Sequence, residues 1–361
     1  MRDLWYNLEM FKPKFRITSD ILTAVSEVAV IKDRVERSRV LPLNEAQLRR
    51  QAIARMAHTS TSIEGNKLAQ FQVDRVLSGM SVNADERSIL EVKNYQTALQ
   101  QIEKMVTSDK PLNIENILYL HSILMSGLLP KEKTGRFRPG PIYIVDDMGD
   151  GREKLRYEGP SAEQVRYFIK ELLTWVEEAK KQKLHPIIKA AIFHLEFVTI
   201  HPFSDGNGRL TRLLTTYLLY KDKWDFRKII VLEDFYNQDR LDYYNALNTV
   251  QGHKYHKGED ETSWIEYFII GFLVEARKVM QTINSIGFGA ATDTNQVFLD
   301  KEEIRIMEVV TSTGKTTSDE VRGLLKVAKR TAQLKIKTLV DKKLIKSQGK
   351  GPATYYVLRE K

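Results

Sequence analysis

Twelve residues near the middle of this chain constrain its architecture more than any other stretch. They read His201-Pro202-Phe203-Ser204-Asp205-Gly206-Asn207-Gly208-Arg209-Leu210-Thr211-Arg212. Residues 190–200 before them are apolar at helical spacing, and residues 213–220 after them are helix-like too. The run is therefore the joint between two helices, a tight Gly-rich loop followed by the first turn of the second helix. Backbone N–H groups at a helix start lack an internal partner and carry the positive end of the helix dipole. Such a place binds anions, phosphates above all.

Each residue type in the joint has a physical use. Gly206 and Gly208 lack Cβ, so the backbone can adopt φ > 0 and approach a diphosphate closely. Asn207 tolerates left-handed backbone and offers amide donors. Arg209 and Arg212 stand three apart and project from one face of the first helical turn, with guanidinium forks suited to phosphate oxygens. Asp205 is a hard oxygen ligand, suited to Mg²⁺ shared with a nucleotide. His201 can take a proton near neutral pH. Singly these residues make an ordinary loop histidine, an ordinary turn and a solvated helix face. Jointly they make a base, a metal ligand, an anion cradle and a charge clamp, the parts of a phosphoryl- or nucleotidyl-transfer site.

At every specified position the run resembles the Fic signature, His-x-Phe-x-(Asp/Glu)-Gly-Asn-Gly-Arg-x-x-Arg. The resemblance extends from the N-terminal helices to about residue 285, through features such as Trp264-Ile265-Glu266-Tyr267-Phe268. It implies a mainly α fold and an ATP-dependent protein adenylyltransferase, which moves AMP from ATP to Tyr, Ser or Thr hydroxyls of target proteins and of itself. It further implies that His201 is the base, that Asp205 holds Mg²⁺, and that Gly206, Asn207, Gly208 and Arg209 cradle the phosphates. Arg212 holds the γ-phosphate in this reading. A Doc-type kinase has lysine in place of the second glycine; Gly208 here favours AMP transfer. Ser60-Thr61-Ser62-Ile63-Glu64-Gly65 resembles the Fic inhibitory motif, in the class with the inhibitory helix N-terminal to the core. A carboxylate on Arg212 competes with the γ-phosphate for the same fork. Ser60, Glu64 and Gly65 are thus expected to restrain the enzyme. The bland alternative is a helix end with Glu64 exposed.

At 361 residues the chain holds a full core and a second small domain. It has no Cys, which rules out disulfides and thiolate metal sites and fits a reducing, cytoplasmic setting. The N-terminus lacks the apolar block of a signal peptide. The most apolar stretch, residues 267–274, is far too short to span a bilayer and is expected in the core, so no membrane partner is expected.

Helices are expected over residues 21–35, 45–57, 91–106, 114–125, 162–180 and 239–250, with Asn113 and Ser161 as N-caps. Residues 136–145 are β-like and 154–157 return as a second short strand, making a hairpin with a polar tip. In Fic proteins a flap at this place pairs with the target backbone, which casts Ile142, Tyr143, Ile144 and Val145 as docking residues. The alternative is a hairpin that merely covers the core. Tyr243, in a segment resembling the one that closes over the nucleotide, is a candidate for packing on the base or ribose; core packing of the Tyr243–Tyr244 pair is the alternative.

Four units follow: an N-terminal helical region with the inhibitory motif (1–110), a Fic core (111–285), a linker (286–298) and a C-terminal domain (299–361). The last resembles a winged helix-turn-helix, with helices from about 302, from Ser318 as a cap, and from Lys329, then two strands forming a wing. Residues 300–361 hold 15 Lys and Arg against 8 Asp and Glu, most of the whole-chain excess of +9. Lys329, Arg330, Lys335 and Lys337 are candidate DNA contacts; protein docking and a homodimer role are the alternatives. Removing this domain is expected to leave the nucleotide chemistry intact. Thr313-Gly314-Lys315-Thr316 is a turn and not a Walker loop, because Val309 stands where a glycine is required. Two rival functions use the same residues: removal of AMP, with Glu64 orienting water, and a DNA-binding regulator whose core only senses nucleotide.

Overall fold

The computed structural model describes residues 11–38, 40, 42–147, 153–256, 258–290, 299–349 and 351–359. Among them the protein is mainly helical, with two small antiparallel two-stranded sheets. In chain order the elements are α1 (Ser19–Arg37), α2 (Pro42–Ile63), α3 (Gln70–Leu77), α4 (Glu86–Thr107) and α5 (Ile114–Leu124), then β1 (Tyr143–Asp147) and β2 (Glu153–Glu158). Next come α6 (Ala162–Lys181), α7 (Pro186–Ile200), α8 (Asn207–Lys221), α9 (Leu232–Gln238), α10 (Arg240–Gln251) and α11 (Thr262–Ala290). The last group is α12 (Lys301–Thr313), α13 (Ser318–Leu325), α14 (Lys329–Asp341), β3 (Ile345–Gln348) and β4 (Tyr355–Leu358). Among the described residues no helix is long and apolar enough to cross a membrane.

The α7–α8 pair is the axis of the molecule. Residues 187–200 of α7 are all buried, Lys189 and Glu196 included, because every face of this largely apolar helix has a neighbour. The other helices pack around it, and Trp264 of α11 donates from its indole to the carbonyl of Ala191 at 2.7 Å. One hydrophobic core runs from Phe11 to Ile283. The expected N-terminal and core units thus share their interior, because α2 and α4 pack on α8 while α1 packs on α11. Asn113 caps α5 by accepting from the N–H of Asn116 at 2.8 Å. Ser161 stands at the N-cap of α6, but its hydroxyl bonds the Gln164 side chain instead of the backbone.

The C-terminal unit has its own core, built on Ile306, Val310, Val321, Ile336, Leu339 and Leu358. Its helix, helix, helix, strand, strand order follows the expected pattern, with three departures. The cap of α13 is Thr317 and not Ser318, since Thr317 accepts from Glu320 in a capping box. Residues 286–290 of the expected linker continue α11. The unit is also not a free appendage. Ala46 of α2 is buried within its core beside Ile306, Met307 and Val310, and Arg49 pairs with Glu308 of α12 at 3.4 Å.

Candidate functional site

Helix α7 ends where His201 takes a left-handed conformation, φ 48° and ψ 61°. Gly206 is also left-handed, φ 81°, at the N-cap of α8, and a Cβ there would meet the Met125 sulfur at 2.6 Å. Between them the chain reverses, and the first turn of α8 presents the N–H groups of Asn207, Gly208 and Arg209 without intrahelical partners.

Half-buried His201 donates from Nδ1 to the carbonyl of Val198 at 3.0 Å. That bond fixes the neutral tautomer with Nε2 unprotonated, so the free nitrogen is a base. Burial pushes its pKa below the ordinary histidine value, and the nearby Glu64 charge works the other way.

The loop is braced by residues the sequence did not flag. Arg138, 3% exposed, donates from Nε to the carbonyl of His201 at 2.8 Å, from Nη1 to that of Gly140 and from Nη2 to that of Pro160. It ties the His201–Arg212 loop to the base of the β hairpin. His121 of α5 is fully buried and stacked on Phe203 with ring centroids 3.8 Å apart. Its Nδ1 accepts from the N–H of Gly135 at 2.9 Å, so Nε2 carries the proton and donates to the carbonyl of Asp205 at 3.1 Å. Burial lowers its pKa to about 4, which keeps this brace neutral.

Asn207 corrects an expectation. Its amide is 2% exposed, and its oxygen accepts from the N–H of Phe203 while its nitrogen donates to the Phe203 carbonyl. The side chain staples the loop closed, with its oxygen and one of its two amide hydrogens engaged on Phe203, so its main role is to hold the loop while the backbone N–H groups form the cradle. Asp205 accepts from its neighbour Gly206 and from Arg209 Nη2 at 3.1 Å, with its second oxygen 3.9 Å from Arg87. Arg209 is 3% exposed; its Nη1 forms an ion pair with Glu91 of α4 at 3.5 Å, and its Nε has no hydrogen-bond partner among the described residues. A buried donor in that state suits an incoming anion.

Among the described residues no cluster of three His, Cys, Asp or Glu forms a metal cage. The single, partly exposed carboxylate of Asp205 nevertheless fits Mg²⁺, which takes one or two carboxylates and completes its shell with water and phosphate oxygens.

Arg212, 2% exposed, is held by Ser60 and Glu64 across the fold. Nε donates to the Ser60 hydroxyl at 2.8 Å, while Nη2 donates to the Ser60 carbonyl at 2.8 Å and to Glu64 Oε1 at 2.8 Å. Glu64 stands just past the end of α2, where Gly65 turns the chain with φ 95°. Burial alone would raise the Glu64 pKa, but the Arg212 and Arg209 charges hold it below the usual carboxylate range. Burial likewise works against the Arg212 charge, and Glu64 more than restores it.

Tyr243 is a second correction. It is 1% exposed and stacked on Tyr236, with ring centroids 4.5 Å apart. Its hydroxyl meets His194 Nε2 at 3.0 Å and also Arg212. Tyr243 therefore packs behind the clamp and offers no face to a base or ribose. Burial lowers the pKa of His194 to about 3, so its ring stays neutral there. At the hairpin, Tyr143 pairs with Glu158 and Ile144 with Tyr157, with a bulge before Val145. Tyr143 and Val145 are exposed, Ile142 and Ile144 half-buried, and no third strand pairs with β1 among the described residues. Residues 148–152 of the tip lie outside the described residues.

Residues 111–219 match the family described as Fic/DOC. Relatives include the protein adenylyltransferase Fic of Nematostella vectensis, 29% identical over 212 residues, which are 58% of this chain and 45% of that protein. The protein adenylyltransferase fic-1 of Caenorhabditis elegans is 30% identical over 195 residues, 53% of this chain and 35% of that protein. The chain thus spans about half the length, or less, of these relatives. Among solved structures, a Fic family protein from Desulfovibrio desulfuricans G20 is 25% identical with a TM-score of 0.61. That likeness covers 97% of this chain and 99% of the other, so it reaches into the C-terminal helices.

Proposed function

We propose that this chain, which carries a Fic domain, is a protein adenylyltransferase restrained by its own Glu64. The carrying observation is the meeting at one loop of a free imidazole nitrogen on His201, a buried Arg209 whose Nε has no hydrogen-bond partner among the described residues, and the Arg212 fork occupied by Glu64. His201 Nε2 takes the proton from a Tyr, Ser or Thr hydroxyl of a target protein. The hydroxyl oxygen bonds the α-phosphorus of ATP as the bond to the β-phosphate breaks, and pyrophosphate leaves. The backbone of Asn207, Gly208 and Arg209 holds the phosphates, and Arg212 receives the terminal one once Glu64 withdraws. Asp205 would hold Mg²⁺, whose charge neutralises the phosphate oxygens. The hairpin offers the open edge of β1, with Tyr143 and Val145 outward, for strand addition by the target segment.

We read the C-terminal unit as a winged helix and the setting as cytoplasmic. Basic residues remain for DNA phosphates, but Lys335 does not belong among them. Its ammonium is tied to Asp300 at 2.6 Å and Glu302 at 2.8 Å.

Intact-mass analysis of wild type and Glu64→Gly with ATP and Mg²⁺ tests the reading. It expects more AMP adduct on the variant. An equal or smaller yield sinks the restraint and favours removal of AMP, and absence of any adduct on either protein favours nucleotide sensing.

A further inference from the structure

Arg212 is gripped by Nε as well as by its fork, and the grip on Nε leads to a second carboxylate. Ser60 accepts there through its hydroxyl oxygen at 2.8 Å. The Ser60 hydroxyl also meets that of Tyr95 in α4. Tyr95 in turn donates to Oε1 of Glu233 in α9 at 3.0 Å. Ser60 and Tyr95 are fully buried, and Glu233 is 1% exposed. Each hydroxyl has one proton, and Arg212 can only donate, so the chain runs one way: Arg212 to Ser60 to Tyr95 to Glu233. Arg212 also touches Tyr243, but that branch continues through His194 and Thr215 to the neutral carbonyl of Thr211. Among the described residues, of these two branches the Tyr95 one ends on an acid.

We infer that Tyr95 and Glu233 are positioning residues for Arg212, fixing the guanidinium by Nε so that its fork stays in place when Glu64 leaves. This rests on the nucleotide reading above and adds a part to it. A guanidinium that loses its only direct carboxylate inside a protein swings towards another counter-charge or water. Once it has lost its proton, Glu233 supplies that charge through two hydroxyls, without occupying the fork that the terminal phosphate needs, so the test is run at pH 8. The device therefore serves the released state, whereas Glu64 serves the restrained one.

The test uses the full chain carrying Glu64→Gly, with Tyr95→Phe or Glu233→Gln added. Tyr95→Phe keeps the buried ring and removes the bridging oxygen. Glu233→Gln keeps an acceptor for Tyr95 and removes the charge, and it carries the test if Tyr95→Phe does not fold. Affinities for ATP and ADP with Mg²⁺ are measured by titration calorimetry, and AMP adduct formation by intact mass. Arg212 reads only the terminal phosphate, so ATP affinity should fall about tenfold, as expected for one charge-assisted hydrogen bond, while ADP affinity holds. The adduct reaction should show a raised KM for ATP. Unchanged affinities, or equal losses for ATP and ADP, overturn the inference while leaving the site reading intact. If the Glu64→Gly parent neither prefers ATP to ADP nor forms adduct, the site reading itself has failed and the inference falls with it.

Discussion

The Glu64 carboxylate lies directly over Gly208. A β-carbon built at 208 would come within 2.2 Å of Glu64 Oε1 and 3.1 Å of Arg212 Nη1. Glycine at this position therefore leaves room for the Glu64 carboxylate and, in the proposed function, for a phosphate. Gly208→Ala should lower the thermal stability of the wild type, because it displaces Glu64 from Arg212. In a Glu64→Gly background the sign reverses. The clash with Glu64 is gone, only the end of the Arg212 side chain at 3.1 Å has to yield, and alanine is favoured over glycine in a helix by up to about 1 kcal/mol. Chemical denaturation of the four proteins in this double-mutant cycle measures the coupling, and additive effects would refute the contact.

His201→Ala removes a base and leaves the cradle. Transfer should fall by about a hundredfold or more while ATP affinity is retained. Burial holds the His201 pKa below the ordinary value, so the acid limb of the pH–rate profile should lie below pH 6.5. Activity should rise with pH through that limb as Nε2 loses its proton. An acid limb above that point would mean that another group is the base.

The catalytic loop and the Ser60–Gly65 segment were legible because their residues lie within a few positions of one another, where spacing encodes geometry. Long helices were legible from periodicity. The short helices α3 and α9 were not, since eight and seven residues hold barely two turns. Tyr95, His121, Arg138 and Glu233 look like ordinary polar interruptions of helices or loops. The bonds that join Tyr95 to Glu233, His121 to Asp205 and Arg138 to His201 span 63 to 138 positions, so only the fold reveals them. Tyr243 was misjudged for a related reason. Two adjacent tyrosines on a helix point to different faces, and the sequence does not say which face is inward. The C-terminal unit was expected to be dispensable for the nucleotide chemistry because the nucleotide loop lies upstream of the linker, yet the contact of α12 with α2 brings together residues some 260 positions apart.

Glu233 makes the protein's stability depend on pH. Burial raises its pKa from 4.5 to about 7, against the pull of Arg212 and the Tyr95 hydrogen bond and with the push of Asp234. Tyr220 and Tyr236 also face it. The folded state thus binds a proton that the unfolded state gives up above its own, lower pKa. Stability should fall as pH rises from about 4.5 to about 7, by up to about 3 kcal/mol. Glu233→Gln should flatten that fall and gain stability relative to wild type at pH 8. Parallel melting curves of both proteins from pH 5 to pH 8 check it; parallel slopes would show that Glu233 does not titrate there.

If the C-terminal unit binds DNA, Lys329, Arg330 and Lys337 should contribute and Lys335 should not, because Asp300 and Glu302 already engage it. Charge-removing substitutions of the first three should weaken a gel shift and flatten its salt dependence by about one unit of slope each. The same slope from Lys335→Gln would contradict its pairing. Absence of a salt-sensitive shift with any DNA would favour protein docking.

Helix α2 carries the C-terminal unit on its first half and the restraining Glu64 just past its last turn. Ala46 is 4% exposed within the C-terminal core, and Arg49 meets Glu308 while also donating to the carbonyl of Arg227. A helix transmits a displacement along its length, because its hydrogen-bonded turns are stiffer than the side-chain contacts around it. Detaching the unit should therefore loosen the seat of Glu64 on Arg212. Deleting residues 297–361, or introducing Ala46→Glu at the contact, should raise AMP adduct formation several-fold over wild type. The same changes in a Glu64→Gly background should add nothing, since the restraint is already gone. Equal yields with and without the unit would show that α2 holds Glu64 unaided. A loss of adduct in both backgrounds would show that the unit supports the catalytic core itself.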